Sequence, residues 1–207
     1  MRAEAIVDLS AIKHNVAVLK EKSGTNLLAV VKADAYGHGL VLVAKAALDA
    51  GASMLGVALL EEALTLRAEG ITAPILAWLV QPGSDFKSAI ENGIELAAGS
   101  IKALHEIQAA STSKKARVHL ELDTGMTRGG FLSEWSQLDA SDVEGLEIVG
   151  VFSHFARADE PGEAQNTQQL ARFNEMVATL HGFGFTKVVR HISNSAATLS
   201  NPDAAHD

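Results

Sequence analysis

The sequence predicts an α/β fold built on a parallel sheet, of the (β/α)8 barrel type. Three observations carry this. Seven short apolar runs recur along the 207 residues, stretches with helical spacing lie between them, and glycines fall near the ends of those stretches. Strand alternating with helix implies parallel pairing, because each crossover lays a helix on a face of the sheet. Most of the runs are continuously apolar, as expected of strands covered on both faces. An open dinucleotide-binding sheet is disfavoured. The first run is followed by KADAYGHG, which lacks the G-x-G-x-x-G spacing of that fold.

The elements follow in order. Residues 10–22 are predicted as a helix opening on Ser10, a residue type that caps helix amino termini. The first strand is 27–31 (LLAVV), and a loop, KADAYGHG, comes after it. In 40–50, Leu40, Val43, Ala44, Ala47 and Leu48 share one helical face, and Gly51 ends the stretch. Strands at 53–58 (SMLGVA), 74–79 (PILAWL) and 94–98 (IELAA) come next, the latter two preceded by Gly70 and Gly93 as helix stops. The fifth and sixth strands are 117–122 (RVHLEL) and 146–152 (LEIVGVF). Residues 163–181 place Leu170, Phe173, Met176, Val177 and Leu180 on one face and stop near Gly182, before a seventh strand at 187–192 (KVVRHI). Such barrels have eight strands and typically about 250 residues, so the barrel is expected to be incomplete at its eighth strand. With no low-complexity or Pro-rich linker, residues 1–207 are expected to form one domain.

Composition narrows the function. With 47% apolar and 20% charged residues the chain reads as an ordinary globular domain. Its 25 acidic against 17 basic residues give a formal charge of −8, which argues against general binding to nucleic acid or to an anionic membrane. It has no cysteine, hence no disulfide framework or thiolate metal site. The amino terminus lacks a secretory apolar core, and no apolar run approaches the roughly 20 residues of a membrane helix. A cytoplasmic protein is expected.

In a barrel of this type the chemistry sits where strands end. Four of the predicted strand ends carry unusual polar sets. Lys32, Asp34, Tyr36 and His38 follow the first strand; Asp123, Thr124 and Arg128 in DTGMTRGG follow the fifth. Ser153, His154 and Arg157 follow the sixth, and His191, Ser193, Asn194 and Ser195 the seventh. Each set has a scaffold explanation: a snorkelling lysine, an Asx-turn at Asp34, a tight glycine turn with Arg128 paired at the surface, a hydrogen-bonded core histidine, a helix start capped by Ser193 or Asn194. Their coincidence on one rim favours a site. A lysine at the edge of a dry core has its charged form disfavoured, which helps its amine condense with an aldehyde. A helix amino terminus at Ser195 suits a phosphate, and Tyr36 can donate to the same group. A phosphorylated aldehyde bonded to lysine describes pyridoxal 5′-phosphate.

AVVKADAYGHG closely resembles the cofactor-attachment motif of alanine racemases, and HLELDTGMTRGG, FSHFARADE and HISNSAA resemble that family's later motifs in the same order. The resemblance runs from DLSAIKHN to the last helix and implies a fold-type III barrel carrying pyridoxal phosphate, followed by a β-rich carboxy-terminal domain, in a head-to-tail homodimer. It implies interconversion of L- and D-alanine, supplying D-alanine for bacterial peptidoglycan. By position Lys32 matches the attachment lysine, which is also the base on the D-alanine side. Tyr36 and Ser195 match phosphate ligands, with Asn194 beside them. Arg128 matches the arginine beside the cofactor's phenolic oxygen and the substrate carboxylate, and His154 the histidine packed against the pyridine ring.

Two departures from the pattern stand out. Many members carry a carbamylated lysine where this chain has Glu121, whose own charge could hold Arg128. The family's eighth strand, its arginine at the pyridine nitrogen, its second domain and its second catalytic base (a tyrosine from the partner subunit) all lie beyond Asp207. The chain alone is therefore expected to bind cofactor without racemising. Two other readings are a single-domain barrel serving pyridoxal phosphate homeostasis, and a metal-dependent barrel hydrolase using His119, His154 and His191 with a carbamylated Lys32. Against the hydrolase, this chain has no His-x-His pair on its first strand, and His119 lies within its strand, not at the rim.

Overall fold

A computed structural model describes residues 3–207. The chain runs α1 (Leu9–Ser23), β1 (Leu28–Val30), a short helical turn α2 (Lys32–Gly37), α3 (Leu40–Asp49), β2 (Met54–Val57), α4 (Leu60–Ala68), β3 (Ile75–Ala77), α5 (Phe86–Glu91), β4 (Glu95–Ala98) and α6 (Ile101–Ala110). It continues with β5 (Arg117–Glu121), β6 (Glu147–Phe152), α7 (Ala164–Leu180), β7 (Val189–His191) and α8 (Ser195–Ser200). All seven expected strands form. They pair in parallel and in chain order, β1 to β7, in one curled half-barrel sheet. The two edge strands β1 and β7 are not paired with one another, although α1 packs against α8.

Alternation sorts each strand between two environments. Leu55, Val57, Ile75, Ala77, Leu96, Ala98, Val118, Leu120 and Val151 are buried in the main apolar cluster with Ala63, Leu66, Leu104, Ile107 and Phe173 from the helices. The opposite, inner face mixes apolar residues such as Leu76 and Ala97 with polar ones. Glu95, at 5% exposure, accepts from Arg117 Nε (2.9 Å) and bonds His119 Nε2 (2.8 Å), and His119 Nδ1 bonds His191 Nε2 (3.0 Å). The dry barrel core expected from the apolar runs is thus corrected: three strands contribute a chain of ionisable groups, with Glu95 and His119 buried and Arg117 and His191 partly exposed.

This chain depends on a void and a bulge. The register between β5 and β6 shifts at Val118/His119, which sets Gly150 opposite His119. A Cβ at Gly150 would lie 2.1 Å from His119 Nδ1, so the imidazole occupies the space over the glycine and reaches His191 on the next strand. His191 also stacks on Phe152, with ring centroids 5.0 Å apart.

Two local expectations are corrected. Asp8, not Ser10, caps α1: its carboxylate accepts from the amides of Ser10 (2.9 Å) and Ala11 (3.3 Å), and the helix already begins at Leu9. Beyond α7 the left-handed stop is Gly184 (φ 85°), because Gly182 lies inside a 3-10 turn, His181–Phe183, that prolongs the helix. Gly51, Gly70 and Gly93 have positive φ as expected. Among the described residues no helix is long and apolar enough to cross a membrane.

Candidate active site

The segment after β1 is not the loop that its composition suggests. Ala33, Asp34, Ala35 and Tyr36 have φ of 54°, 54°, 50° and 55°, a left-handed helical turn made without glycine. For L-residues this costs on the order of 1–2 kcal/mol per residue. Such strain survives where surrounding contacts over-determine it, and it clusters at functional sites. Here Ala35 N–H donates to Val31 O (2.9 Å), and the Asp34 carboxylate accepts from Leu40 N–H (2.6 Å), so Asp34 ties the exit of the turn to the start of α3.

Lys32 stands at the entrance of this turn, partly buried. Its Nζ lies 5.9 Å from the centroid of the Tyr36 ring and 5.8 Å from that of Trp78, within cation–π range of both. The Trp78 ring fits there because β2 carries Gly56, where a Cβ would come within 2.7 Å of it. The enclosed, dry setting expected for Lys32 is therefore corrected to a partly open slot between two aromatic rings. Tyr36 is 72% exposed.

His154 and Arg128 converge on the same region. Burial, helped by the charges of Arg128 and Lys32, holds His154 below the ordinary histidine value, so its neutral ring is favoured. Arg128 is exposed at the tip of its loop and lies close enough to Glu121 to oppose the upward push that burial gives that carboxyl group. Asp123 adds to that push. Among the described residues Arg128 and Glu121 share no ion pair, and the Glu121 carboxylate packs against Gly129 and Gly99.

The loop carrying Arg128 is built by its neighbours. Asp123, buried, accepts from the amides of Gly125 (2.9 Å) and Thr127 (3.0 Å), and Phe131 N–H returns to Glu121 O (2.7 Å). Gly130 (φ 104°) is required by contact as well as by φ, since a Cβ would meet Asp123 N at 2.8 Å. Thr124 bonds Ser153 (2.8 Å), and Arg157 pairs with Glu160 and Glu163. Asp123, Thr124, Ser153 and Arg157 are therefore scaffold. After β7, Asn194 caps α8 by accepting from Ala197 N–H (3.0 Å), and Ser193 donates to Ala204 O (2.9 Å). Ser195 opens α8 and is exposed. No hydrogen bond or ion pair joins Asn194 or Ser195 to Lys32, Arg128 or His154 among the described residues.

Sequence reasoning missed two groups that shape the site. One is Trp78, within the predicted third strand. The other is Gln169, 1% exposed, which donates to His154 O (2.9 Å) and Thr124 Oγ1 (3.2 Å) and accepts from Ala156 N–H (2.9 Å). It joins the loops that carry Arg128 and His154. A glutamine four residues before Phe173, on the apolar face of α7, was the available signal. His119 and His191 bond each other, and no group of three or more metal-ligating side chains occurs among the described residues.

Acid stability follows from the inner chain. Burial first, and His119 second, hold His191 well below 6.5. A folded-state pKa below the unfolded one means that the unfolded chain takes up the proton first. Stability is thus intact above the unfolded value and falls as pH drops through about 6.5. His154 and His206 shift in the same direction. Thermal melts should show a lower midpoint at about pH 5.5 than at about 7.5, with a smaller difference in His191→Gln.

A family model described as "Alanine racemase, N-terminal domain" matches residues 7–207. Among curated proteins, the alanine racemase of Salinispora arenicola is 49% identical over the whole of this chain and 58% of its own length. That of Mycobacterium tuberculosis H37Rv is 45% identical over 99% of the chain and 56% of its own length. Among solved structures, the alanine racemase from D-cycloserine-producing Streptomyces lavendulae superposes with TM-score 0.93 at 42% identity, over 97% of this chain and 55% of that one. The Bacillus anthracis enzyme with bound L-Ala-P gives 0.89 at 40%, over 97% and 54%. The chain thus spans somewhat over half the length of these relatives.

Proposed function

We propose, for a chain that belongs to the alanine racemase family, that residues 1–207 form the pyridoxal 5′-phosphate-binding barrel domain of an enzyme interconverting L- and D-alanine. The observation that supports this best is the placement of Lys32. Its amine stands on a strained turn between two aromatic rings, with His154 and Arg128 close enough to act on one another's charge. The donor set fits the cofactor: one primary amine, a phenol and a serine hydroxyl, a guanidinium and flat ring surfaces. When bound, the cofactor supplies an electron sink that acidifies the substrate's Cα–H.

The chain's own residues would then divide the work. Lys32 holds the aldehyde end and, once free, carries a proton to or from Cα on one face. Tyr36 and Ser195, with Asn194 alongside, serve the phosphate. His154, neutral, offers a ring face. Arg128 receives the carboxylate of alanine, and the Glu121 charge behind it biases its direction. Lys32 reaches one face only, so racemisation needs a second proton carrier opposite. The proposal assigns that group to the partner subunit of a homodimer, and places the enzyme in the cytoplasm as a source of D-alanine for peptidoglycan.

The test is reductive trapping. The full-length protein loaded with pyridoxal phosphate should lose its visible absorbance on borohydride treatment and yield one modified peptide, at Lys32. An adduct on another lysine, or none, would refute the reading.

A further inference from the structure

We propose that Glu62 is the residue that positions Lys32, by anchoring the entrance of the left-handed turn; this rests on the reading of Lys32 as the cofactor's attachment amine. Glu62 is the third residue of α4, partly buried, and comes from a different β-α unit. Its two carboxylate oxygens have different tasks. One accepts from the Ala33 N–H, immediately after Lys32. The other accepts from the amides of Ala58 (3.0 Å) and Leu59 (2.9 Å), where β2 leads into α4.

Among the described residues, no other side chain from outside residues 31–40 hydrogen-bonds the backbone of the turn. Within that segment the Val31 N–H donates to Gly56 O (2.9 Å), which seats the end of β1 on β2. The Lys32 backbone is therefore held on one side by the sheet and on the other by Glu62. Four residues with unfavourable φ follow it, and without an acceptor for the Ala33 amide the turn has an unpaired donor at its first strained residue. Relaxation there would swing Lys32 away from the slot between Tyr36 and Trp78. The carboxylate also binds the amino terminus of α4, where a negative charge is favoured. One group thus caps a helix and aims an amine.

Glu62→Gln separates the two tasks. Its single carbonyl oxygen is drawn to the paired Ala58 and Leu59 amides, which turns the amide NH2 group toward Ala33, a donor facing a donor. The cap survives and the anchor is lost. In the full-length protein exposed to limiting pyridoxal phosphate and then borohydride, the yield of adduct on Lys32, relative to adducts on surface lysines, should fall roughly tenfold or more, the scale of a lost charge-assisted hydrogen bond. The urea midpoint should stay near that of the parent. Glu62→Ala should lose selectivity at least as far, with a lower midpoint from the lost cap. If a folded Glu62→Gln protein traps Lys32 as selectively as the parent, the positioning role is overturned. If the parent itself shows no preference for Lys32, the reading of the site falls, and the inference with it. A drop in trapping that merely tracks a drop in midpoint across both variants assigns Glu62 to the scaffold and also overturns the role.

Discussion

Full-length protein carrying Lys32→Ala should racemise alanine about 10⁴-fold more slowly than the parent, or worse, since the change removes both a covalent anchor and a proton carrier. The loss should be one of chemistry and not of folding. The Lys32 ammonium makes no ion pair among the described residues, and its neighbours are the rings of Tyr36 and Trp78. Cation–π contacts of that kind contribute about 0.5–1 kcal/mol at exposed sites, so the urea midpoint should move little. Formation of D-alanine from L-alanine, measured beside the midpoint, separates the two effects. Turnover within about tenfold of the parent would show that another group moves the proton and would remove Lys32 from the proposed site.

Gly150→Ala should destabilise the protein by about 3–5 kcal/mol, from overpacking and from buried polar groups left unpaired. The added methyl would lie 2.1 Å from Nδ1, 2.3 Å from Cε1 and 2.8 Å from Cγ of His119. That imidazole cannot swing aside freely, because Glu95 holds one nitrogen and His191 the other. Displacing it breaks both bonds and leaves the Glu95 carboxylate, 5% exposed, with Arg117 as its remaining partner. Gly162→Ala is the control, since nothing lies within 4 Å of its Cβ position, and it should stay within about 0.5 kcal/mol. The measurement is a pair of urea unfolding curves. A loss below about 1 kcal/mol for Gly150→Ala would mean that the His119–His191 contact does not contribute to holding the inner face.

Much of this architecture was legible in the chain itself. The seven strands were found because each is a compact apolar run with buried neighbours on its helix side, and the parallel order follows from helices of sufficient length between them. The candidate residues were found because strand ends are where polar side chains interrupt apolar runs. Lys32, Arg128, His154 and Ser195 all stand in the segments that follow strands. Which of those polar residues serve the scaffold was not legible. Asp123 and Thr124 read as site residues in a linear motif, yet their side chains are spent on Gly125, Thr127 and Ser153.

The sequence by itself determined the parallel β/α order, the family resemblance and the short roster of residues from which a site could be drawn, because apolar periodicity and strand-end polarity are local properties. Only the tertiary structure decided the handedness of the turn after Lys32, the void at Gly56 that admits Trp78, the passage over Gly150 that joins His119 to His191, and the reach of Glu62 and Gln169 into loops far from them in sequence. Each of these depends on which backbone atoms of separate β-α units come within a few ångströms, and no spacing along one strand encodes that.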